Sequence, residues 1–378
     1  MTRSIHTIWR QSICLSFVLM SCAQPKVTDE VRVVSRFDHP QAVRFLDDEL
    51  IILNSAYDAL NWGPGFINLI DPNNLTQETR INTSAANPQS LQFDSGWMMV
   101  VETGIYDFSN FDQPQSKAPF GIELFSTTEA ERVSPIFVQL PQSVDDRPIS
   151  APIELRTINS VTLVTSGLFN IVWRIKWSNI ETGTVEQIDI LRLENELTTG
   201  LGNVVVWEDR FLLTDFNRDR LYVINQDGTD IECRVDLGTN TEEMEGLQTP
   251  LVIDGSLWVT FAFSGHIERI ELSPLINDCR LEKSALPVTL GQVPNDLDRV
   301  NDEVWVTMSG ENHILRLDLI SGEELGQVVL PIASNPWAFD FNQERQLGAI
   351  TLWALDEVYL LNTDGALEFR LNEEIQRD

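Results

Sequence analysis

The sequence has few of the residues on which common catalytic and metal motifs depend. Its 378 residues include only four histidines and four cysteines. It has no CxxC pair and no Cys/His cluster, which argues against a zinc site. His39, His266 and His313 have no HExxH context, and no GxSxG, GxGxxG or P-loop pattern follows a strand. We therefore expect no catalytic residues of the classical nucleophilic, zinc-dependent or nucleotide-dependent kinds.

Positive charge is also scarce. The chain has 26 Lys and Arg residues against 57 Asp and Glu residues, and its formal net charge is −31 at pH 7. Such a surface repels phosphate groups, so we expect no nucleic-acid partner. Solubility or a salty habitat explains the acidity in the simplest way, and cation binding is the alternative. The hydrophobic fraction of 43%, with 10 Trp and 18 Phe, is enough for a packed core.

Long apolar runs are missing, and the longest run lies close to the N-terminus. Residues 12–20 (SICLSFVLM) follow a polar stretch that carries Arg3 and Arg10, and they are too few to span a bilayer as a mature helix. The run ends in LMSC, residues 19–22, which resembles the lipobox of bacterial lipoproteins. An ordinary secretory signal with a coincidental cysteine is the alternative.

The lipoprotein resemblance implies a particular maturation. In that family the signal peptide, here residues 1–21, is removed, and the cysteine, here Cys22, is lipidated and becomes the N-terminus. Three acyl chains make an effectively permanent anchor. Ala23 stands where an inner-membrane retention signal would have Asp, so the family's sorting rule implies the outer membrane of a Gram-negative bacterium. Residues 22–30 would be a short tether, and we expect a monomer that meets the membrane only through its anchor.

Two cysteines, Cys233 and Cys279, remain in the mature chain. An oxidising periplasm allows them to form a disulfide, but the sequence does not show that they come within bonding distance. A disulfide and two free thiols both stay open.

The rest of the chain, residues 31–378, is a repeat of short β-rich runs cut by Gly, Asn, Asp and Pro. Seven units of roughly 40–65 residues each begin with a similar motif, often a polar residue and a proline followed by alternating apolar residues. The seven motifs are HPQAVRF (39–45), NPQSLQF (87–93), APIELRT (151–157), LGNVVVW (201–207), EGLQTPLVI (245–253), VPNDLDRV (293–300) and NPWAFDF (335–341).

Each unit contains three further predicted strands, so the sequence predicts an all-β fold, a β-propeller with seven four-stranded blades in a single domain. Six or eight blades are the alternatives, and the long second unit (88–150) is where a miscount would arise. Residues 31–37 (VRVVSRF) lie outside the units, and we predict that they pair with the last blade. The segments DRLYVINQDG (219–228) and NHILRLDLISGEE (312–324) resemble YVTN or NHL-type repeats, which implies shape more than activity.

One face of the predicted propeller collects the polar and aromatic residues. Because the strands alternate in direction, the start of the first strand and the connection between the second and third strands lie at the same end of a blade. Two of these connections are long, at 56–65 and 103–119, and the second has no clear strand pattern. Turn formation by Asn and Pro, and packing of the aromatic rings, are the simpler explanations. The candidate binding residues are His39, Tyr57, Trp62, Asn87, Tyr106, Phe108, Phe111, Asp215, Asn217 and Asn335.

One enzymatic resemblance is present. The motifs MEGL (244–247) and VPNDLDRVNDEVWVT (293–307) resemble strand starts of gluconolactonase/regucalcin-like propellers, which hold a divalent cation at the channel mouth. The resemblance implies Glu245 and Asn295 as ligands of Ca²⁺ or Mg²⁺, with Asp296 beside them, and a cation acting as Lewis acid on a lactone. This chain departs from that family because its Glu falls in the fifth unit rather than the first, and NPWAF replaces a later Pro-Asn-Gly.

The leading hypothesis is thus a non-catalytic, lipid-anchored propeller that needs no cofactor. It would present its loop-rich face to an unidentified protein, glycan or other envelope component. The alternative is a divalent-cation-dependent, lactonase-like hydrolase with its site at the channel mouth.

Overall fold

The computed structural model describes residues 37–58, 61–107, 115–117, 119–128, 135–195, 197, 200–238, 244–286, 291 and 293–371. The predicted signal peptide, Cys22, the tether, residues 31–36, Phe108 and Phe111 lie outside the described residues, so the predictions that concern them stay predictions. Within the described chain, no helix has the length and apolar character needed to cross a membrane.

Seven four-stranded antiparallel sheets are present, which confirms the predicted all-β propeller with seven blades. Blade 1 and its inserted hairpin contain β1 (Pro40–Leu46), β2 (Glu49–Asn54), β3 (Tyr57–Asp58), β4 (Asn61–Trp62), β5 (Pro64–Asp71) and β6 (Asn74–Ala86). Blade 2 and its insertion contain β7 (Pro88–Asp94), β8 (Trp97–Glu102), β9 (Ile105–Asp107), β10 (Gln115–Lys117), β11 (Gly121–Ser126) and β12 (Ile136–Gln139). A small hairpin of β13 (Ser143–Val144) and β14 (Arg147–Pro148) leads to blade 3.

The next two blades have no hairpin between their second and third strands. Blade 3 contains β15 (Pro152–Ile158), β16 (Val161–Ser166), β17 (Ile171–Asn179) and β18 (Thr184–Arg192). Blade 4 contains β19 (Val204–Trp207), β20 (Arg210–Asp215), β21 (Arg220–Asn225) and β22 (Ile231–Asp236).

Blade 5 carries the only α-helix of the described chain, which the sequence analysis did not predict. This blade contains β23 (Leu247–Ile253), β24 (Ser256–Phe261), β25 (His266–Glu271), α1 (Leu272–Asp278) and β26 (Lys283–Ala285). Blade 6 contains β27 (Pro294–Val300), β28 (Glu303–Met308), β29 (His313–Asp318) and β30 (Glu324–Val329). Blade 7 contains β31 (Pro336–Asn342), β32 (Leu347–Leu352), a 3₁₀ turn (Trp353–Leu355), β33 (Glu357–Asn362) and β34 (Leu367–Leu371).

The hydrophobic core lies between neighbouring blades. The second strand of each blade is almost wholly buried, as in β16, where all six residues are buried. Larger rings fill the spaces between blades, and Trp305 of blade 6 stacks on Phe339 of blade 7 with ring centroids 5.4 Å apart. Because each blade buries its faces only against its neighbours, the ring is stable only when it is closed.

Ring closure joins blade 7 to blade 1. The carboxylate of Asp340 in β31 accepts a hydrogen bond from the backbone N–H of Phe45 in β1, at 2.7 Å. Phe37, the first described residue, is buried in the same cluster as Leu360 and Leu371 of blade 7. The four strands of blade 7 all come from residues 336–371, so this blade is complete before any contribution of residues 31–36.

A disulfide joins Cys233 to Cys279, with their Cα atoms 5.5 Å apart. Cys233 lies in β22, the outer strand of blade 4, whereas Cys279 ends the helix α1 of blade 5. Cys279 has a left-handed backbone (φ 51°). The helix therefore brings together two residues that are 46 positions apart, and the bond ties blades 4 and 5 at their outer edge.

Candidate functional site

The start of the first strand has the same unusual backbone in most blades. The preceding residue adopts a left-handed conformation in six of the seven blades, and in five of them a proline follows. These six residues are His39, Asn87, Ala151, Gly246, Val293 and Asn335. Gly and Asn tolerate this conformation, whereas Val293 (φ 56°) is strained in it.

In all six blades, the carbonyl group of this opening residue accepts a hydrogen bond from the backbone N–H of the residue that follows the second strand. Thr103 donates its N–H to Asn87 at 3.0 Å, Ser309 to Val293 at 3.0 Å, and Trp353 to Asn335 at 3.2 Å. The first-strand start and the connection after the second strand are therefore joined directly on one face, which we call the mouth face.

Turn formation explains most of the role of Asn87. Its side chain is buried, donates to the Gly104 carbonyl at 3.4 Å and accepts from Gln89 Nε2 at 2.6 Å. Asn335 is similar, since its backbone N–H donates to Asn312 Oδ1 at 3.2 Å, but Asn335 also borders the central channel.

The central channel opens on the mouth face as a cavity of about 660 Å³. Residues from the first strands of all seven blades line it, together with side chains from the connections after the second strands. A cavity of this size is typical of small-molecule sites. Of the candidate binding residues within the described chain, Trp62, Tyr106, Asn217 and Asn335 line the cavity.

Aromatic side chains form a continuous arc on one side of the mouth. The ring of His39 lies 4.3 Å from that of Trp353 and 5.4 Å from that of Tyr57. Tyr57 lies 4.4 Å from Trp62, and Trp62 lies 6.3 Å from Tyr106. These five residues, the aromatic arc, come from blades 7, 1 and 2. The two inserted hairpins supply Tyr57, Trp62 and Tyr106, so the expectation that residues 103–119 have no strand pattern was wrong.

The opposite side of the mouth belongs to blades 4 and 5. Phe216 and Phe263 lie 5.3 Å apart, and Asn217 holds its position by donating Nδ2–H to the Gly200 carbonyl at 2.9 Å. Asp215 is fully buried and accepts the backbone N–H groups of Asn217 and Arg218, each at 3.1 Å. Burial raises the pKa of Asp215 to about 6. Asp215 thus shapes the turn and does not face the channel.

Three buried polar atoms on the cavity wall have no hydrogen-bond partner among the described residues. They are Oε1 of Gln41, Oγ of Ser90 and Nε1 of Trp353. Gln41 and Ser90 are 4% and 6% exposed, and Trp353 is 3% exposed. Because buried polar groups are nearly always hydrogen-bonded, these atoms are exceptions within the residues that line the cavity.

Deeper in the channel, charged side chains gather around Arg44. Burial lowers the pKa of Arg44, but the nearby carboxylates, Asp340 first, raise it by more, and the net shift is upward. Burial raises the pKa of Asp296 to about 6, and burial together with Asp340 raises that of Asp298 to about 8. Burial also raises the pKa of Asp340.

The same aspartates connect neighbouring blades. Asp296 accepts the backbone N–H of Phe339 at 3.0 Å, and Asp298 accepts that of Phe341 at 2.8 Å. Both bonds cross from blade 6 to blade 7, as the Asp340 bond crosses from blade 7 to blade 1. The carboxylates therefore stabilise the ring while they face the channel.

The three residues suggested as cation ligands have protein partners of their own. Asn295 accepts from Gln248 Nε2 at 3.1 Å and donates Nδ2–H to the hydroxyl group of Ser309. The carboxylate of Glu245 lies 3.6 Å from His266 Nδ1. Asn295 and Asp296 line the channel cavity, whereas Glu245 does not.

A different cluster at the rim was not found from sequence. Ligand atoms of Asp38, His39 and Asp356 lie within 4.8 Å of one another, and no other such group of His, Cys, Asp or Glu occurs in the described chain. His39 Nδ1 lies 2.8 Å from Asp38 Oδ1 and 3.6 Å from Asp356 Oδ1. Asp356 is the last residue of the connection between β32 and β33, which lies on the mouth face as the sequence analysis predicts for such connections. Asp38 and Asp356 are 318 residues apart, so the sequence does not show that they meet.

Comparisons with known proteins bear on the fold. No protein-family model matches the chain, and no curated protein matches it. Virginiamycin B lyase from Staphylococcus aureus is similar in structure, with 16% identity, a TM-score of 0.63, and coverage of 87% of this chain and 96% of that one. The β-propeller domain of Myceliophteria thermophila Cps50 (Swd1) has 11% identity, a TM-score of 0.63, and coverage of 89% and 99%.

Dihydro-heme d1 dehydrogenase NirN is similar over 89% of this chain and 67% of its own, with 13% identity and a TM-score of 0.58. Structural similarity at sequence identities this low shows a shared fold and does not show a shared activity. The chain is therefore a seven-bladed β-propeller, of the class that serves both as enzyme scaffold and as binding module.

Proposed function

We propose that this protein is a lipid-anchored binding module of the cell envelope, which holds a small molecule, or an end group of a protein or glycan, in the channel mouth. The observation that carries the proposal is the set of unpartnered polar atoms of Gln41, Ser90 and Trp353 on the wall of the cavity. Leaving one such atom buried without a partner costs about 1–3 kcal/mol. A ligand that bonds to them recovers this free energy on binding.

The aromatic arc supports the same proposal. Trp62 and Tyr106 border the cavity and offer flat apolar surfaces beside the amide side chains of Gln89 and Asn335. Rings next to amides bind ligands that have both apolar faces and hydrogen-bonding edges. We place the binding site on the arc side because the inserted hairpins of blades 1 and 2 occur only there.

Binding is tested with Trp62→Ala, which removes one ring of the arc, and Phe369→Ala, a control that removes a half-exposed ring from the outer strand β34. Both variants and the wild type are titrated with envelope saccharides, amino acids, amines and short peptides, and binding is followed by thermal shift and tryptophan fluorescence. At least one compound should bind the wild type and Phe369→Ala equally and bind Trp62→Ala much more weakly. Equal binding by all three proteins, or binding by none, would contradict the proposal.

The lipid anchor is a separate part of the proposal and rests on the LMSC motif. Cys22→Ser should move the protein from the membrane fraction to the soluble periplasmic fraction, because the acyl chains attach to that sulfur. A variant that stays in the outer membrane would remove the anchor from the proposal without affecting the binding site.

One observation favours the cation-dependent alternative, though at another place than the sequence suggests. The cluster of Asp38, His39 and Asp356 offers oxygen and nitrogen ligands at the rim, beside the ring of Trp353. Calorimetry with Ca²⁺, Mn²⁺ and Zn²⁺ should give binding that His39→Ala abolishes and Glu245→Ala leaves intact. The reverse result would place the cation at Glu245, and a wild type that binds no divalent ion would end the alternative.

A further inference from the structure

Acidic residues outnumber basic residues on the wall of the channel cavity. Four carboxylates and two guanidinium groups line it, and the described lining residues include no lysine. These are Glu154, Asp296, Asp298, Asp340, Arg44 and Arg156. The cavity wall therefore has two more acidic groups than basic groups.

The close ion pairs involve only two of the four carboxylates. Arg156 pairs with Glu154, and Arg44 lies 3.9 Å from Asp340. No ion pair among the described residues includes Asp296 or Asp298. Their backbone N–H partners in blade 7 stabilise the carboxylates, but neutral donors do not cancel charge. Arg44 is the cation shared by these carboxylates and does not balance them all, since the pKa of Asp298 stays raised to about 8. A cation bound beside Asp296 and Asp298 would favour their ionised forms, so the channel is suited to a cation.

Two independent features of the same wall indicate the form of that cation. Gln41 Oε1 and Ser90 Oγ are buried and unpartnered, and both can accept hydrogen bonds. Trp62 and Trp337 also line the cavity, and indole rings attract cations through their π faces. Oxygen acceptors and indole faces together suit a group with several N–H donors attached to an apolar body.

We propose that the occupant of the channel is an organic amine, with its charged nitrogen directed to Asp296 and Asp298 and its apolar part against the tryptophan rings. This inference rests on the proposed function, because it names the ligand class of the same cavity. It excludes neutral sugars and anionic groups as the preferred ligand.

The test compares two probes that differ in one group: tryptamine, which is cationic at neutral pH, and tryptophol, its neutral hydroxyl analogue. Calorimetry with the full mature chain should show tryptamine binding roughly tenfold or more tighter than tryptophol. Asp296→Asn and Asp298→Asn each keep an oxygen for the blade 7 N–H group. Each should lower the affinity for tryptamine and leave that for tryptophol unchanged.

Asp254→Asn is the matched control, since Asp254 is exposed in the turn that follows β23, does not line the cavity and pairs with Arg299 at 3.2 Å. It should leave the affinities for both probes unchanged, and thermal melting of all variants shows whether each is folded. Equal affinity of the wild type for both probes, no binding of tryptamine, or full retention of tryptamine affinity in both channel variants would overturn the inference. If a neutral compound still bound in a Trp62-dependent way, the proposed function would stand while this inference failed.

Discussion

The connections between the second and third strands divide the seven blades into two groups. In blades 3 to 7 each connection has four residues, namely 167–170, 216–219, 262–265, 309–312 and 353–356. In blades 1 and 2 the connections are 55–63 and 103–120, and each carries a small hairpin. We call these the regular blades and the inserted blades.

The difference shows how a nearly symmetric scaffold acquires one functional side. In four of the five regular connections the last residue has a left-handed backbone that closes the turn, as in Asp219, Gly265, Asn312 and Asp356. Such turns are too short to hold a hairpin, although Asn217 and Trp353 line the cavity from two of them. The inserted blades have no such limit, and their hairpins add three rings to the aromatic arc. We therefore expect substitutions in the inserted hairpins to affect binding more than stability.

The largest expected effect compares one tryptophan from each group. Trp305 of blade 6 is fully buried, stacks on Phe339 and donates Nε1–H to Glu303 Oε2 at 2.8 Å. Trp305→Ala should lower the free energy of unfolding by about 3–5 kcal/mol, because it leaves a large cavity between blades. Trp62→Ala should cost less than half as much, since Trp62 borders an existing cavity.

Equilibrium unfolding in guanidinium chloride measures both values, and Trp305→Phe serves as the control that restores most of the packing. An equal loss for the two alanine variants would show that the arc belongs to the core and would remove the distinction between the two groups.

The disulfide provides the second comparison, because it lies wholly within the regular blades. Replacing both Cys233 and Cys279 by Ser should cost about 2–4 kcal/mol of unfolding free energy, since the bond constrains an unfolded loop of 46 residues. Ligand affinity at the mouth should not change. Denaturation of the wild type with and without reductant is the control, and the reduced wild type should match the double variant. A variant as stable as the oxidised wild type would contradict this prediction.

A smaller effect is expected from exchanging residues at equivalent positions of blades 6 and 7. Val293 and Asn335 both precede the first-strand proline with a left-handed backbone. Val293→Asn should stabilise the protein by about 1 kcal/mol, and Asn335→Val should destabilise it by about 1–2 kcal/mol, because branched side chains clash in this conformation.

Val329→Asn makes the same chemical change at an exposed site in the extended strand β30, and it should bring no gain. Thermal melts of the three variants measure the effects. A loss of stability in Val293→Asn would mean that packing of the valine outweighs its backbone strain.

The smallest expected change in unfolding free energy, measured at mildly acidic pH, comes from substituting Glu102. This residue lies at the end of β8, where the long insertion of blade 2 begins. Burial raises the pKa of Glu102 well above its ordinary value, and neighbouring Glu123 raises it further. The folded protein thus keeps a proton that the unfolded chain releases above about pH 4.5. The contribution of protonated Glu102 to the free energy of unfolding is fully present below about pH 4.5, and it is lost as the pH rises through the pKa of Glu102 in the folded protein.

Glu102→Gln should therefore be close to the wild type near pH 5 and relatively more stable near pH 8. Unfolding curves at the two values give the difference, and the exposed Glu344→Gln is the control. Burial also raises the pKa of Glu123, so some decline with pH should persist in the variant. Parallel pH profiles for wild type and Glu102→Gln would contradict the assignment.

Much of the fold could be predicted from the sequence because it depends on local patterns. Short β-rich runs identified the second strand of every blade, and seven related motifs, three of them with Asn-Pro or His-Pro, identified the first. The two echoing segments NPQSLQF and NPWAFDF open β7 and β31, and their asparagines adopt the left-handed turn that Asn favours. The helix α1 escaped prediction because its seven residues, with a proline among them, show too little periodicity.

The candidate site was predicted less completely. The rule that strand starts and second-to-third connections share a face found Trp62, Tyr106, Asn217 and Asn335 on the cavity wall. The sequence analysis did name Asp296, but it did not find Gln41, Ser90, Asp298 or Asp340, because their sequence context is that of ordinary strand residues. Their importance comes from neighbours in other blades.

The sequence by itself thus determined seven blades, the order of their strands and the face on which the loops gather. Those features follow from alternation, turn residues and a period, all of which lie within one unit. Only the tertiary structure decided that Cys233 meets Cys279, that His39 lies between Asp38 and Asp356, and that Asp296 and Asp298 face the channel beside Arg44. These relations join blades that the chain connects only by closing into a ring, and the curvature that closes the ring comes from packing between blades.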